Sequence, residues 1–170
     1  MIAFPAHLEL GSADVSERGT TVVDHPEYVS AAEVRRVCSE LGIRDWTRLD
    51  EAAVLIEEAE AIRAELGRET LEIPIEEFRR GLEVELEHGL RFTDANVTNN
   101  HPLLTGKIVL AHLKEMLDYY LRLQVAELEG DMFKALVASD PVEVAASYSR
   151  VIEAREELAR SEAQARTHHA

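Results

Sequence analysis

Cysteine is almost absent from this chain. The one thiol, Cys38, has no partner for an intrachain disulfide, so no cross-linked framework holds the fold. It falls among Val34, Val37 and Leu41 of a helical pattern, where a small buried apolar residue is expected. Glycine and proline are sparse too, eight and five in 170 residues, while Glu, Ala, Leu and Arg dominate. That composition favours helices.

Basic residues are in short supply. Eighteen Lys and Arg face 33 Asp and Glu, for a net charge of -15. Such a chain is repelled by nucleic acid and by anionic membrane surfaces, and it attracts metal cations or basic partners. Long apolar runs are missing as well. None reaches the roughly 18 residues of a transmembrane helix. The start, MIAFPAHLEL, lacks a basic n-region and a long apolar core. The expected location is the cytoplasm or another intracellular compartment.

What remains is a soluble, globular chain, 46% hydrophobic and 30% charged, long enough for one domain with a hydrophobic core. We expect an all-α, single-domain helical bundle of about five helices with an extended N-terminal arm. Residues 1–29 form the arm, 30–166 the bundle, and 167–170 a frayed tail that carries His168 and His169. In the arm, Pro5, Gly11, Gly19 and Pro26 interrupt two short β-like stretches, His7 to Leu10 and Thr20 to Val23.

Ser30 and Glu33 form a capping box for a first helix that runs to Leu41. A second helix starts near Thr47 or Asp50 and ends before Gly67. It turns Leu49, Leu55, Ala59 and Ile62 inward and Glu57, Glu58, Glu60 and Arg63 to solvent. Arg68 to Ile73 reads as a linker. A third helix runs from Pro74 to about His88, with Ile75, Phe78, Leu82 and Leu86 as its apolar stripe. The fourth is the longest, from Pro102 to about Glu129. Its buried arc includes Leu113, Met116, Leu117 and Tyr120. Gly130 breaks it, and Met132 to Val137 add one short turn. Asp140 caps a last helix from Pro141 to about Ala163, whose narrow stripe suits an outer helix or one packed on a second subunit. A homodimer or higher homo-oligomer is expected.

Two mirrored patterns carry the chemistry. Glu85-x-x-His88 ends the third helix and His112-x-x-Glu115 lies in the fourth. Residues three apart share a helix face, so facing helices could bring two imidazoles and two carboxylates to one point. Iron, manganese and zinc accept that donor set. Gly81 lets a neighbouring backbone or ligand come close. Asp118 is a candidate acceptor for an imidazole N–H, and Tyr119 a candidate catalytic neighbour. The polar connection between the helices, residues 90–102, is long for its kind. Its Asn96, Asn99, Asn100 and His101 are candidate lid or substrate contacts.

The blocks GLEVELEHG (residues 81–89), NVTNNHPLLTGK (residues 96–107) and VLAHLKEMLDYY (residues 109–120) resemble a family of small prokaryotic proteins known only as a domain of unknown function. The resemblance implies that Glu85, His88, Asn96, Thr98, Leu104 to Lys107, His112 and Glu115 belong to the family's core pattern. It implies no activity. Glu85-x-x-His88 also resembles the motif of ferritin-like di-iron proteins. The leading functional expectation is a divalent-metal protein, an iron or manganese oxidoreductase with an unknown small-molecule substrate. The alternatives are a mononuclear zinc or iron hydrolase or lyase on the same residues, and a non-catalytic acidic protein-interaction module.

Overall fold

Ser30 caps the first helix. In the computed structural model, which describes residues 29–168, its hydroxyl accepts the Glu33 N–H at 3.2 Å and starts α1, Ala31–Leu41. The Glu33 carboxylate turns to Arg36 instead of reaching back. The expected N-terminal arm lies outside the described residues apart from Val29.

The chain does not enter a second helix at Thr47. Asp45 accepts the Thr47 N–H at 3.0 Å and closes a 3-10 turn, Trp46–Arg48. That turn seats the Trp46 ring fully in the core. Residues 49–55 are non-helical, and α2 spans Ile56–Glu65. Glu58 is not on a solvated face. It is 3% exposed, and its carboxylate accepts from the Arg44 backbone and guanidinium and from the Leu55 N–H. Burial opposes its ionisation, but these hydrogen bonds outweigh burial and hold the carboxyl below the usual range.

Among the described residues there are seven α-helices, not about five. The stretch read as a linker holds the single turn α3, Arg68–Leu71. Next come α4, Ile75–Arg91, and α5, Pro102–Glu115. The long fourth helix is two helices. At Met116 the backbone turns extended, with φ -152° and ψ 127°, and the chain restarts as α6, Tyr119–Val137. No glycine or proline marks this break, which leaves Met116 and Leu117 exposed and swings Tyr120 into the core. Gly130 breaks nothing: α6 runs straight through it and absorbs the short turn expected after it. The last helix, α7, is Pro141–His168 and continues into the tail expected to fray.

The core is built by α1, α2, α4, α5 and the start of α6, around Val34, Trp46, Ile62, Phe78, Leu82 and Val109. Cys38 joins it, and burial pushes its thiol pKa up. Helices α6 and α7 form a long hairpin, turned at Ser139 and capped by Asp140, which accepts from Val142 N and Glu143 N at 3.1 and 3.0 Å. Ion pairs Arg80–Glu157 (2.5 Å) and Arg122–Glu162 (2.6 Å) tie the C-terminal half of α7 to α4 and to the start of α6. No helix among the described residues is long and apolar enough to cross a membrane.

Candidate functional site

The side chains that meet between α4, α5 and α6 are Glu85, His112 and Tyr120. Gly81, one turn before Glu85, has no side chain to hold the Tyr120 ring away. The ring therefore lies on the α4 backbone and carries its hydroxyl between the other two groups. Tyr120 donates to Glu85 Oε1 at 3.0 Å, and His112 Nδ1 lies 3.0 Å from the same hydroxyl and 3.3 Å from Glu85 Oε1. Burial first, then the adjacent carboxylate, raise the pKa of the Tyr120 phenol and keep it protonated. Its one proton goes to Glu85. The lone pair of a bare Nδ1 would face two oxygens, so the arrangement assigns the proton to His112 Nδ1. Tyr119 stacks on the imidazole, with ring centroids 4.2 Å apart and planes 7° from parallel.

The mirrored motif is only partly brought together. Glu85 comes level with His112, not Glu115. His88 is about half exposed, with Nδ1 at 3.9 Å from Glu85 Oε2 and Nε2 at 3.8 Å from Glu127. Glu115 is exposed on the last turn of α5, away from the cluster. Asp118 pairs with Arg122 at 2.7 Å rather than with an imidazole. Among the described residues no three His, Cys, Asp or Glu side chains are grouped so that they could hold a metal ion.

The connection between α4 and α5 is held by its own amides. Asn96 Nδ2 donates to Gly89 O at 3.1 Å and to Asn100 Oδ1 at 2.8 Å, while Asn96 Oδ1 accepts from Thr98. A side chain at Gly89 would collide with Asn100 and Asn96. Asn99 donates to Val29 O at 2.9 Å, which pins the start of the described chain to this loop. Both Asn99 and Asn100 adopt left-handed conformations, φ 51° and 58°, which asparagine tolerates better than most residues. His101 accepts the Leu104 N–H through Nδ1 and caps α5, and its burial lowers the imidazole pKa. These four residues shape the loop. Of them, Asn96 also lines a cleft of about 180 Å³ between α4 and α5, with Glu85 and His88.

A family model described as "Protein of unknown function (DUF5661)" matches residues 34–129, more than half of the chain. The chain belongs to this family. No curated protein and no solved structure matches it, so the resemblance to ferritin-like proteins rests on Glu85-x-x-His88 alone. The DUF5661 match takes in the Glu85, His112 and Tyr120 cluster and the cleft. It ends inside α6, before the turn of the hairpin.

Tyr120 is the member of the cluster that the helical pattern hid. It fell in a buried apolar arc, and a phenol in such an arc needs a hydrogen-bond partner. That need was the available signal.

Proposed function

We propose that this protein is a non-catalytic helical interaction module that pairs with a second copy of itself through the free end of the α6–α7 hairpin. The observation that carries this reading is the group of exposed apolar side chains there. Phe133, Leu136, Val137, Val142 and Tyr148 are all more than half exposed. A groove of about 640 Å³ runs between the helices, with Met132, Leu136, Pro141, Val144, Ala145 and Tyr148 along it.

The inner stripe of α7 (Ser147, Val151 and Ala154) is buried. Val144, Tyr148 and Ile152 continue the apolar arc beyond that stripe, one step around the helix. With the end of α6 they form an exposed apolar patch of the kind that marks protein–protein contacts. The charges around the patch are already paired within the hairpin: Lys134 with Asp131, Arg150 with Glu143, and Arg155 with Glu129. The bases around the patch are thus neutralised, and its centre is apolar, which favours an apolar surface of the same kind.

Sedimentation at micromolar to submillimolar concentration tests the reading. The wild type is expected to dimerise, and L136E combined with Y148E to stay monomeric with unchanged helical content. Two chains of charge -15 repel, so added salt should strengthen the dimer. A monomeric wild type across that range would overturn the proposal. The metal-dependent readings, oxidoreductase or hydrolase, draw their support from the Glu85–His112 contact. Stoichiometric metal in untagged protein, with a melting curve lowered by chelator, would favour them over a non-catalytic module.

A further inference from the structure

We propose that the cleft between α4 and α5 binds a small organic ammonium ion, held by the carboxylate of Glu85. The two oxygens of that carboxylate are used unequally. Oε1 receives Tyr120 and faces His112. Oε2 has no hydrogen bond among the described residues, and the nearest imidazole nitrogen stands 3.9 Å away. The side chain is only 16% exposed and lines the cleft. Oε2 is open to the cleft and free to accept from a cationic N–H.

Thr105 supplies a second unfilled position. It is 2% exposed, lines the same cleft, and its hydroxyl makes no hydrogen bond within the described residues. Phe92, Val97 and Ile108 form the apolar part of the wall, beside the polar side chains of His88, Asn96 and Thr98. The ligand that fits has N–H donors at one end and a short alkyl body at the other. A volume of about 180 Å³ equals roughly six waters in the liquid, which limits the ligand to a small amine. A divalent metal ion suits the walls less well, since no group of three metal-ligating side chains stands there. The acidic field of the whole chain raises the local concentration of any cation. The cleft lies apart from the hairpin end, so this site and the proposed pairing stand or fall separately.

Butylammonium is the probe, with butanol as its neutral match, read by amide chemical shifts of the full chain. Saturable shifts confined to residues 85–108 are expected with butylammonium. Butanol should bind at least about tenfold more weakly, as the loss of one charge-assisted hydrogen bond requires. E85Q keeps an acceptor for Tyr120 while removing the charge, and should weaken butylammonium by a similar factor. T105V leaves the Glu85, Tyr120 and His112 contacts in place and should weaken it several-fold, which guards against misfolding of the first variant. Equal binding of butanol, no saturation at millimolar butylammonium, or displacement of butylammonium by stoichiometric zinc or manganese would each overturn the proposal.

Discussion

Gly81 and Tyr120 touch where a methyl group has no room. A Cβ on Gly81 would lie 2.5 Å from Tyr120 Cε2 and the same distance from Val109 Cγ1, closer than real carbon contacts. Helix propensity favours alanine over glycine by about 1 kcal/mol, but overpacking costs about 1–3 kcal/mol. Overpacking should win, because both neighbours are buried rings or branched chains with little freedom. G81A is therefore expected to lower stability by about 1–2 kcal/mol in urea unfolding. G130A is the control of opposite sign. Nothing lies within 4 Å of its Cβ, and it sits inside α6, so it should gain up to ~1 kcal/mol.

Removing the Tyr120 hydroxyl has a pH signature. In the folded chain burial and Glu85 keep the phenol protonated well above its ordinary value of 10.0. The unfolded chain ionises near that value, so the folded state binds more protons above it. Stability should then fall as pH rises beyond about 10. Y120F should cost about 1–2 kcal/mol near neutrality. It should also flatten the alkaline fall, measured by denaturant unfolding across that range.

His101 sets the acid side. Its Nδ1 must stay unprotonated to cap α5, and burial lowers its pKa from the ordinary 6.5. A lowered pKa means that this contribution is present above pH 6.5 and is lost as pH falls through the folded value. H101N offers a cap that does not titrate there. Its stability profile is expected to lack the fall on acidification below pH 6.5 that is expected of the wild type.

Glu58 gathers several donors onto one carboxylate. E58A leaves the Leu55 and Arg44 N–H groups and a guanidinium without their acceptor. We expect a loss of about 2–4 kcal/mol. R44M should cost more, because it leaves the Glu58 carboxylate, 3% exposed, with only two backbone donors, whereas E58A leaves the Arg44 guanidinium 40% exposed and open to water. Comparable losses for the two variants would contradict this ranking.

Helix periodicity was legible where a cap and a stripe coincided. Ser30 before α1, Pro74 before α4, and Asp140 before α7 begin their helices at or within one residue of the expected starts. Phe78, Leu82 and Leu86 are fully buried along one face of α4, as their spacing requires. The break at Met116 was not legible, because no local residue demands it. A helix continued to Glu129 satisfies every propensity. It ends where it does because Tyr120 gains burial against Gly81 and a hydrogen bond to Glu85. The helical reading from Thr47 failed for a related reason: the Asp45 turn delivers Trp46 to the core.

The four-residue motif shows the same division. Spacing alone places Glu85 with His88, and His112 with Glu115, each pair one turn apart on its helix. How the two helices meet is beyond spacing. Packing set Glu85 against His112 and left Glu115 in solvent.

By itself, then, the sequence determined an all-α body, strongly acidic and without an intrachain disulfide, with a long polar connection between α4 and α5. These follow from composition and from periods of one helical turn, which are local properties. The tertiary structure alone decided the number of helices, the partners of Glu85, the burial of Glu58 and the bare apolar end of the hairpin. Each depends on contacts between residues far apart in the chain, whose energies outweigh local preference only once the helices are packed.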